Sequence, residues 1–379
     1  MRILIVSHPP LSLEHGASQT ALNLAAALRE RGHDAVAWSP EPLPPRARWW
    51  NRWLWQRRRI EEHLESGAFD IVDLPAISVS RRIAARRSVS AVVARSVQPE
   101  LRYLWLMIQD RARLFPGTPV RIAAEAATWP VVSRAVTAGW RRADVVLCLG
   151  THELEWMRQR FPWVRPKLEV YLDAPPPADQ EAFAAVRSAR MEEGERPAAG
   201  LRFLWIGRWV PHKGIHRLVR FLAARAASHP QDSFTLAGCG GEAVRDCPPG
   251  LVRDGRLRIV PSFTRGELPG LLGEHDAGLF TSEVEGWGLS LNEMLEAGLP
   301  VFATRAGGVP DLAPCFPHSL RPFPPPETSD HPGPDRDLAA TGYYDRFTWP
   351  RIAERYEATV LRRIAAGPLQ RAGPCASSR

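Results

Sequence analysis

Apolar residues fall in short runs separated by amphipathic stretches, and the pattern occurs twice along the chain. Arg2 to Ser7 is an apolar run of strand length. A Gly-containing loop around Gly16 follows, and TALNLAAALRERG then sets Leu24 and Leu28 four apart before Gly32 stops the helix. His33 to Trp38 supplies the next strand, so the chain opens as the βαβ unit of a parallel sheet. Further apolar runs at Asp70 to Leu74, Ser90 to Ala94 and Ala143 to Leu149, each preceded by a helical or basic stretch, extend that sheet. From Leu201 a second series begins. LRFLWIG, SFTLAG, LRIVPS, AGLFTS and GLPVFAT read as five strands, divided by helical patterns such as GIHRLVRFLAARAA and LNEMLEAG.

Composition narrows the class. At 379 residues the chain exceeds one ordinary core, and 45% hydrophobic with 24% charged residues describe a globular protein. Proline concentrates at Glu41 to Pro45, Pro175 to Pro177 and Pro322 to Pro326, stretches expected to be loops or linkers. Between Asp173 and Gly200 the composition turns to Pro, Ala, Glu and Arg. The expected division is an N-terminal domain 1–175, a linker 176–200, a C-terminal domain 201–345, a helix 346–366 and a tail 367–379. The formal charge of +8 favours polyanionic partners, phosphorylated small molecules among them. Cys148, Cys239, Cys247, Cys315 and Cys375 make no CxxC or Cys/His spacing, so neither zinc nor a disulfide framework is expected, and a reducing cytosol fits. MRILIVSHPP is too short an apolar run for a signal segment, and no run reaches the roughly 18 apolar residues of a membrane span.

Two motifs carry chemistry. In EGWGLSLNEMLEAGLPV, Gly286 and Gly288 permit close backbone approach, and a helix from about Leu289 to Ala297 ends at Gly298. The amides of Leu289 and Ser290 open that helix and suit a phosphate. Glu285 sits in the loop and Glu293 one turn into the helix, so the two carboxylates are expected at opposite ends of one ligand, where each accepts hydrogen bonds from a diol. In GRWVPHKG, directly after a strand, Arg208 and Lys213 are positioned to converge on a diphosphate and hold the charge that grows as a glycosidic bond breaks. The Gly loops at Gly240 and Gly307 follow strands and are expected to border the same crevice, as is Gly16.

GRWVPHKG resembles the G-R-x-x-x-x-K-G element, and EGWGLSLNE the E-G-F-G-x-x-x-x-E element, of GT-B fold glycosyltransferases of glycosyltransferase family 4. MRILIVS, RGHDAV, ADVVLCLG, LAGCGG, VFATRAGGVPD and the late RFTWPRIAERYEATV follow in the family's order. The resemblance implies two Rossmann-like α/β domains with parallel sheets facing across a cleft. It implies a nucleoside-diphosphate sugar as donor substrate on the C-terminal domain, a glycan or lipid-linked acceptor on the other, retention of configuration and no metal or cofactor. By position, Arg208 and Lys213 would bind the diphosphate, Glu285 the donor sugar and Glu293 the ribose. The N-terminal half departs from the pattern: DIVDLPA and ARSVQPE carry no His, and the Gly-Gly loop is reduced to Gly16. His8 and His15 flank that loop as possible substitutes.

RARWWNRWLWQRRR, Arg46 to Arg59, carries Trp49, Trp50, Trp53 and Trp55 among arginines. It reads either as an interfacial helix for anionic lipid or as an amphipathic helix whose indoles pack on the sheet. No nucleic-acid motif accompanies it. The expectation is a cytoplasmic hexosyltransferase of bacterial envelope or exopolysaccharide assembly, bound peripherally at the inner face of the membrane. A non-catalytic GT-B partner subunit, or a sugar-nucleotide epimerase or phosphorylase, stands as the alternative.

Overall fold

The computed structural model describes residues 1–13, 16–114, 119–193, 200–327, 335 and 338–367. His15 and Cys375, both singled out above, lie outside them. The chain divides into two compact units, Met1–Asp173 with Phe347–Arg379, and Ala174–Arg346.

The first unit is a six-stranded parallel sheet ordered β2-β1-β3-β4-β5-β6. Its strands are β1 (Arg2–Val6), β2 (Asp34–Trp38), β3 (Ile71–Leu74), β4 (Ala91–Arg95), β5 (Val145–Leu149) and β6 (Leu168–Tyr171). The helices are α1 (Gly16–Glu30), α2 (Arg52–Glu65), α3 (Arg81–Ala84), α4 (Glu100–Leu114), α5 (Pro119–Arg142) and α6 (Thr151–Arg160). The central strands are buried along their length, and Leu4, Val6, Val72, Leu74, Val92 and Val146 form the core beneath the helices. Near-continuous apolar strands are what helices on both faces of a parallel sheet demand. On one face α2 buries only Gln56, Ile60 and Leu64, and Trp38 at the end of β2 stacks on its His63 with ring centroids 4.2 Å apart.

The second unit repeats the plan with the order β12-β11-β10-β7-β8-β9, all neighbours parallel. Its strands are β7 (Arg202–Ile206), β8 (Ser233–Ala237), β9 (Leu257–Val260), β10 (Ala277–Phe280), β11 (Val301–Ala303) and β12 (Leu320–Pro322). Helices α7 (Pro177–Glu193), α8 (Ile215–Ser228), α9 (Ala243–Asp246), α10 (Pro249–Arg253), α11 (Leu268–Gly273), α12 (Leu289–Glu296) and α13 (Val309–Leu312) surround it. Phe203, Trp205, Leu222, Phe234, Leu236 and Leu279 fill its core.

Two features differ from the sequence reading. The stretch expected as linker, 176–200, contains α7: Pro177 opens the helix, where its missing N–H costs nothing, and Phe183 is fully buried. Arg187 donates to the Glu296 carbonyl at 2.5 Å and Arg190 to the His275 carbonyl at 2.6 Å, which fastens α7 to the second unit. The edge strands β6 and β12 escaped the pattern because they are short and partly exposed, and β12 ends in a proline that only an edge tolerates.

The final helix, α14 (Trp349–Ala365), packs on α1 of the first unit. Glu357 there meets Arg31 at 2.6 Å and His33 at 3.2 Å, and Arg363 donates to the Asp144 carbonyl at 2.9 Å. This is the doubly wound α/β plan repeated, the GT-B fold.

Candidate active site

In the second unit the loop after β7 turns back on the strand end through Gly214. Its φ is +68°, and a Cβ there would lie 2.0 Å from the Thr281 carbonyl oxygen, so only glycine fits. Thr281 donates to the Lys213 carbonyl (2.7 Å) and accepts from the buried Trp205 indole (3.1 Å), while the Glu283 amide donates to the His212 carbonyl (2.8 Å). The backbone at His212 and Lys213 is thereby fixed by the segment that follows β10. The Lys213 side chain reaches Glu285 Oε2 at 2.5 Å, and Ser282 Oγ donates to the same oxygen at 3.0 Å.

Electrostatics follow from burial and pairing. Burial pushes the Glu285 carboxyl up, but Lys213, with His212 and Ser282, outweighs it and holds the group below the usual carboxylate range. His212 is pushed down to about 4, chiefly by burial, with Lys213 and Arg208 adding to the effect against the pull of Glu285. The imidazole is neutral at physiological pH. Arg208 is exposed in the same loop.

The second acid lies in α12, which starts at Gly288 (φ +90°), where a Cβ would strike the Phe280 ring at 2.7 Å. Leu289 and Ser290 are the first two helical residues, whose amides have no intrahelical acceptor. Buried Glu293 accepts from Arg265 at 2.7 Å, and Arg265 also pairs with Asp179 of α7. Burial raises the Glu293 carboxyl; Arg265 opposes this, and Lys213 is near enough to act in the same sense. Lys213 is therefore bonded to one acid and within electrostatic reach of the other.

Trp287 stands where the motif has an aromatic residue, and it organises the loop from beneath. Its indole donates to Asn292 Oδ1 (2.9 Å), Asn292 to the Tyr343 hydroxyl (2.5 Å), and Tyr343 to Glu296 (2.8 Å). Gly307 and Gly308 press against this residue: Cβ atoms there would fall 2.4 Å from the Trp287 carbonyl oxygen and 2.8 Å from its ring. Gly307 is thus a packing glycine that seats the loop carrying Glu285 and buried Gly286.

Gly240 lies in the loop after β8, where its N–H donates to the Pro261 carbonyl at 2.9 Å. Gly16 opens α1 in the first unit. Arg265 and Asp179 carried no sequence signal: Arg265 lies 28 positions from Glu293 and 86 from Asp179, without glycine spacing.

In the first unit the strand ends that lack His carry an ion pair instead. Arg95 Nε meets Asp73 Oδ1 at 2.7 Å, both fully buried, and Arg95 also donates to the Val6 carbonyl at 3.3 Å. His8 Nε2 lies 2.8 Å from Ser78 Oγ; burial, then Arg52 and Arg95, push its pKa down to about 4.

The two parallel α/β units define a GT-B fold, and its second unit holds two acids, Glu285 and Glu293, each paired with a cation. Residues 187–314 match the model of the family Glycosyl transferases group 1. An uncharacterized glycosyltransferase, YqgM of Bacillus subtilis, is 30% identical over 133 residues, which are 33% of this chain and 36% of that protein. Glycogen synthase of Mycobacterium tuberculosis is 31% identical over 119 residues, 30% of this chain and 28% of the synthase. The chain thus spans about a third of the length of the curated relatives it matches. Similarity of fold extends over both units. Sucrose-phosphate synthase from Thermosynechococcus elongatus superposes with a TM-score of 0.68 at 17% identity, covering 97% of this chain and 100% of that one. Anabaena HepE, in complex with UDP and glucose, gives 0.57 at 15% identity over 95% and 99%.

Proposed function

We propose that the protein is a retaining glycosyltransferase that moves a hexose from a nucleoside-diphosphate sugar to a glycan or lipid-linked acceptor in bacterial envelope or exopolysaccharide assembly. The observation that carries this is the Lys213–Glu285 pair beside the opening turn of α12, with Glu293 within the field of the same lysine. In this reading the diphosphate lies on the Leu289 and Ser290 amides, and Arg208 with Lys213 takes up the negative charge that develops as the glycosidic bond breaks. Glu285, ionised because Lys213 holds it so, accepts hydrogen bonds from donor-sugar hydroxyls and orients the anomeric carbon for attack from the leaving-group face. Glu293 exchanges its Arg265 bond for the ribose diol. Lys213 and Arg208 supply the cationic stabilisation in this scheme, so activity is expected to survive EDTA.

The test is a thermal-shift panel of UDP, GDP and ADP sugars followed by product analysis. A ligand that binds only the folded state raises Tm by mass action. One donor should shift Tm and be transferred with retention. Binding without transfer or hydrolysis would favour a partner subunit, and turnover without an acceptor an epimerase. Absence of any shift, or activity restored only by magnesium or manganese, would overturn the reading.

A second reading concerns the membrane surface. Trp49 and Trp50 are 57% and 54% exposed at the start of the Arg46 to Arg59 segment, and Leu54 projects from α2 beside them. Among the described residues no helix is long and apolar enough to cross a membrane. We infer that this face adsorbs to anionic lipid at the cytoplasmic surface, each arginine contributing on the order of 1 kcal/mol. Co-sedimentation with anionic vesicles should be lost at high salt and in a variant with Arg52, Arg57, Arg58 and Arg59 changed to Ser; equal pelleting of both proteins would refute it.

A further inference from the structure

Three helices of the first unit bring five arginines to one groove of about 740 Å³: Arg57 and Arg58 from α2, Arg81 and Arg82 from α3, and Arg142, the last residue of α5. The convergence is built by packing. Both α2 and α5 lie on the turn Ala76–Ser78, and α5 comes so close that a Cβ on Gly139 would sit 1.9 Å from the Ala76 carbonyl oxygen. That turn runs directly into α3, whose N-cap Ser80 is buried on the groove wall and accepts from the Ile83 amide at 3.2 Å.

Glutamates of α2 also face the groove, but they do not neutralise it. Glu62 takes Arg58 at 2.9 Å and Glu61 lies 3.6 Å from Arg82, while Glu65 is exposed. Among the described residues Arg57, Arg81 and Arg142 have no carboxylate within ion-pair distance; Arg57 lies 5.1 Å over the Trp53 ring and Arg142 donates to the Val79 carbonyl at 3.2 Å. Burial first, then the neighbouring charges of Arg81, Arg57 and Arg141, hold the Arg142 guanidinium below its ordinary value. Surface arginines are normally free to move apart. Here the close approach at Gly139 fixes the backbone that carries Arg142 against the turn leading into α3.

We propose that this groove binds a phosphate monoester or diphosphate group, held by Arg57, Arg81 and Arg142. Guanidinium forks match phosphate oxygens two at a time, and three on separate helices enclose a tetrahedral anion better than one flexible lysine would. The Ser80 hydroxyl, whose oxygen already accepts from Ile83, keeps its proton to donate. Leu54 on the rim offers apolar surface to a substituent. The site lies wholly in the first unit and is separate from the donor residues of the second.

Phenylglyoxal modification of the full chain, read arginine by arginine by peptide mass spectrometry, tests this. With inorganic pyrophosphate at about four times its Kd, modification of Arg57 and Arg81 should slow roughly fivefold while Arg46 and Arg48 react unchanged. Arg208, on its own peptide, reports the nucleotide site, so the two readings succeed or fail separately. A parallel arm replaces pyrophosphate with phosphatidylcholine vesicles with and without phosphatidic acid. Selective protection by pyrophosphate assigns a soluble phosphate ligand, and selective protection by phosphatidic acid alone assigns a lipid headgroup; either supports the site. No protection in either arm, protection by pyrophosphate spread equally over Arg46 and Arg48, or protection by phosphatidic acid that spares Arg81, overturns it. Arg57→Gln with Arg81→Gln should weaken pyrophosphate binding about tenfold, and unchanged affinity in that variant would also refute the assignment.

Discussion

The two units share one strand plan and treat charge in opposite ways. At the strand ends of the first unit, Asp73 and Arg95 are paired out of reach of water, with Tyr356 and Tyr171 close by. In the second, Lys213–Glu285 and Arg265–Glu293 are largely buried, yet Lys213, Glu285 and Arg265 keep 14–22% of their side-chain surface exposed. A sealed pair sustains the fold, because nothing can exchange with it. An open pair holds its members in place until a ligand takes over their hydrogen bonds. On the proposed function, the same α/β scaffold stores polar groups as structure in one half and as a donor site in the other.

The strongest way to break this comparison is at the sealed pair. Removing one partner of a buried ion pair leaves an uncompensated charge, so Arg95→Ala should destabilise the first unit by about 3–5 kcal/mol in urea unfolding. Replacing both, Asp73→Leu with Arg95→Met, should recover most of that loss. A single variant as stable as the parent would mean the pair is not sealed in solution.

At the open pairs the effect should move from stability to turnover. Lys213→Ala is expected to lower the transfer rate about 10²–10³-fold, roughly 2.7–4 kcal/mol, because leaving-group charge is greatest in the transition state. Glu293→Ala should instead weaken nucleotide binding by about 1–3 kcal/mol in calorimetry. If Lys213→Ala lost only stability, the open pair would be structural like the sealed one.

The contrast also explains what could be read from the sequence. Ten of the strands announce themselves as apolar runs, and the acids and cations of the second unit stand at glycine spacings set by close approach: Gly214 against Thr281, Gly288 against Phe280. Arg265 and Asp179 were silent because Arg265 meets Glu293 and Asp179 only through folding, and Asp179 stands on a helix whose proline-rich start resembled a linker. The Asp73–Arg95 pair was silent for a related reason: a charged residue inside an apolar run reveals its partner only when β3 and β4 lie side by side.

The comparison is sharpened last through pH. In the first unit Glu153 accepts from Ser96 (2.7 Å) and the Leu149 amide (2.7 Å), and Glu100 stands near it with Oε2 shut off from solvent and unpartnered among the described residues. Burial, and for Glu100 also the charge of Glu153, push the pair up to about 8 and about 7. The unfolded chain titrates these groups near 4.3, so between about pH 4 and 8 the folded state holds more protons. Stability must then fall as pH rises through that window, by at most about 1.4 kcal/mol per pH unit for one proton, and level off above it. Glu285 in the second unit has the opposite sign: held below the usual range, it contributes stability that is lost only as pH drops below about 4.3. Urea midpoints of the parent and Glu100→Gln at pH 5.5 and 8, a span of about 2.5 units, separate the two cases. The variant should lose part of the parent's decline and be the more stable protein at pH 8. An identical decline in both would show that Glu100 is ionised at neutral pH and that the first unit does not store this proton.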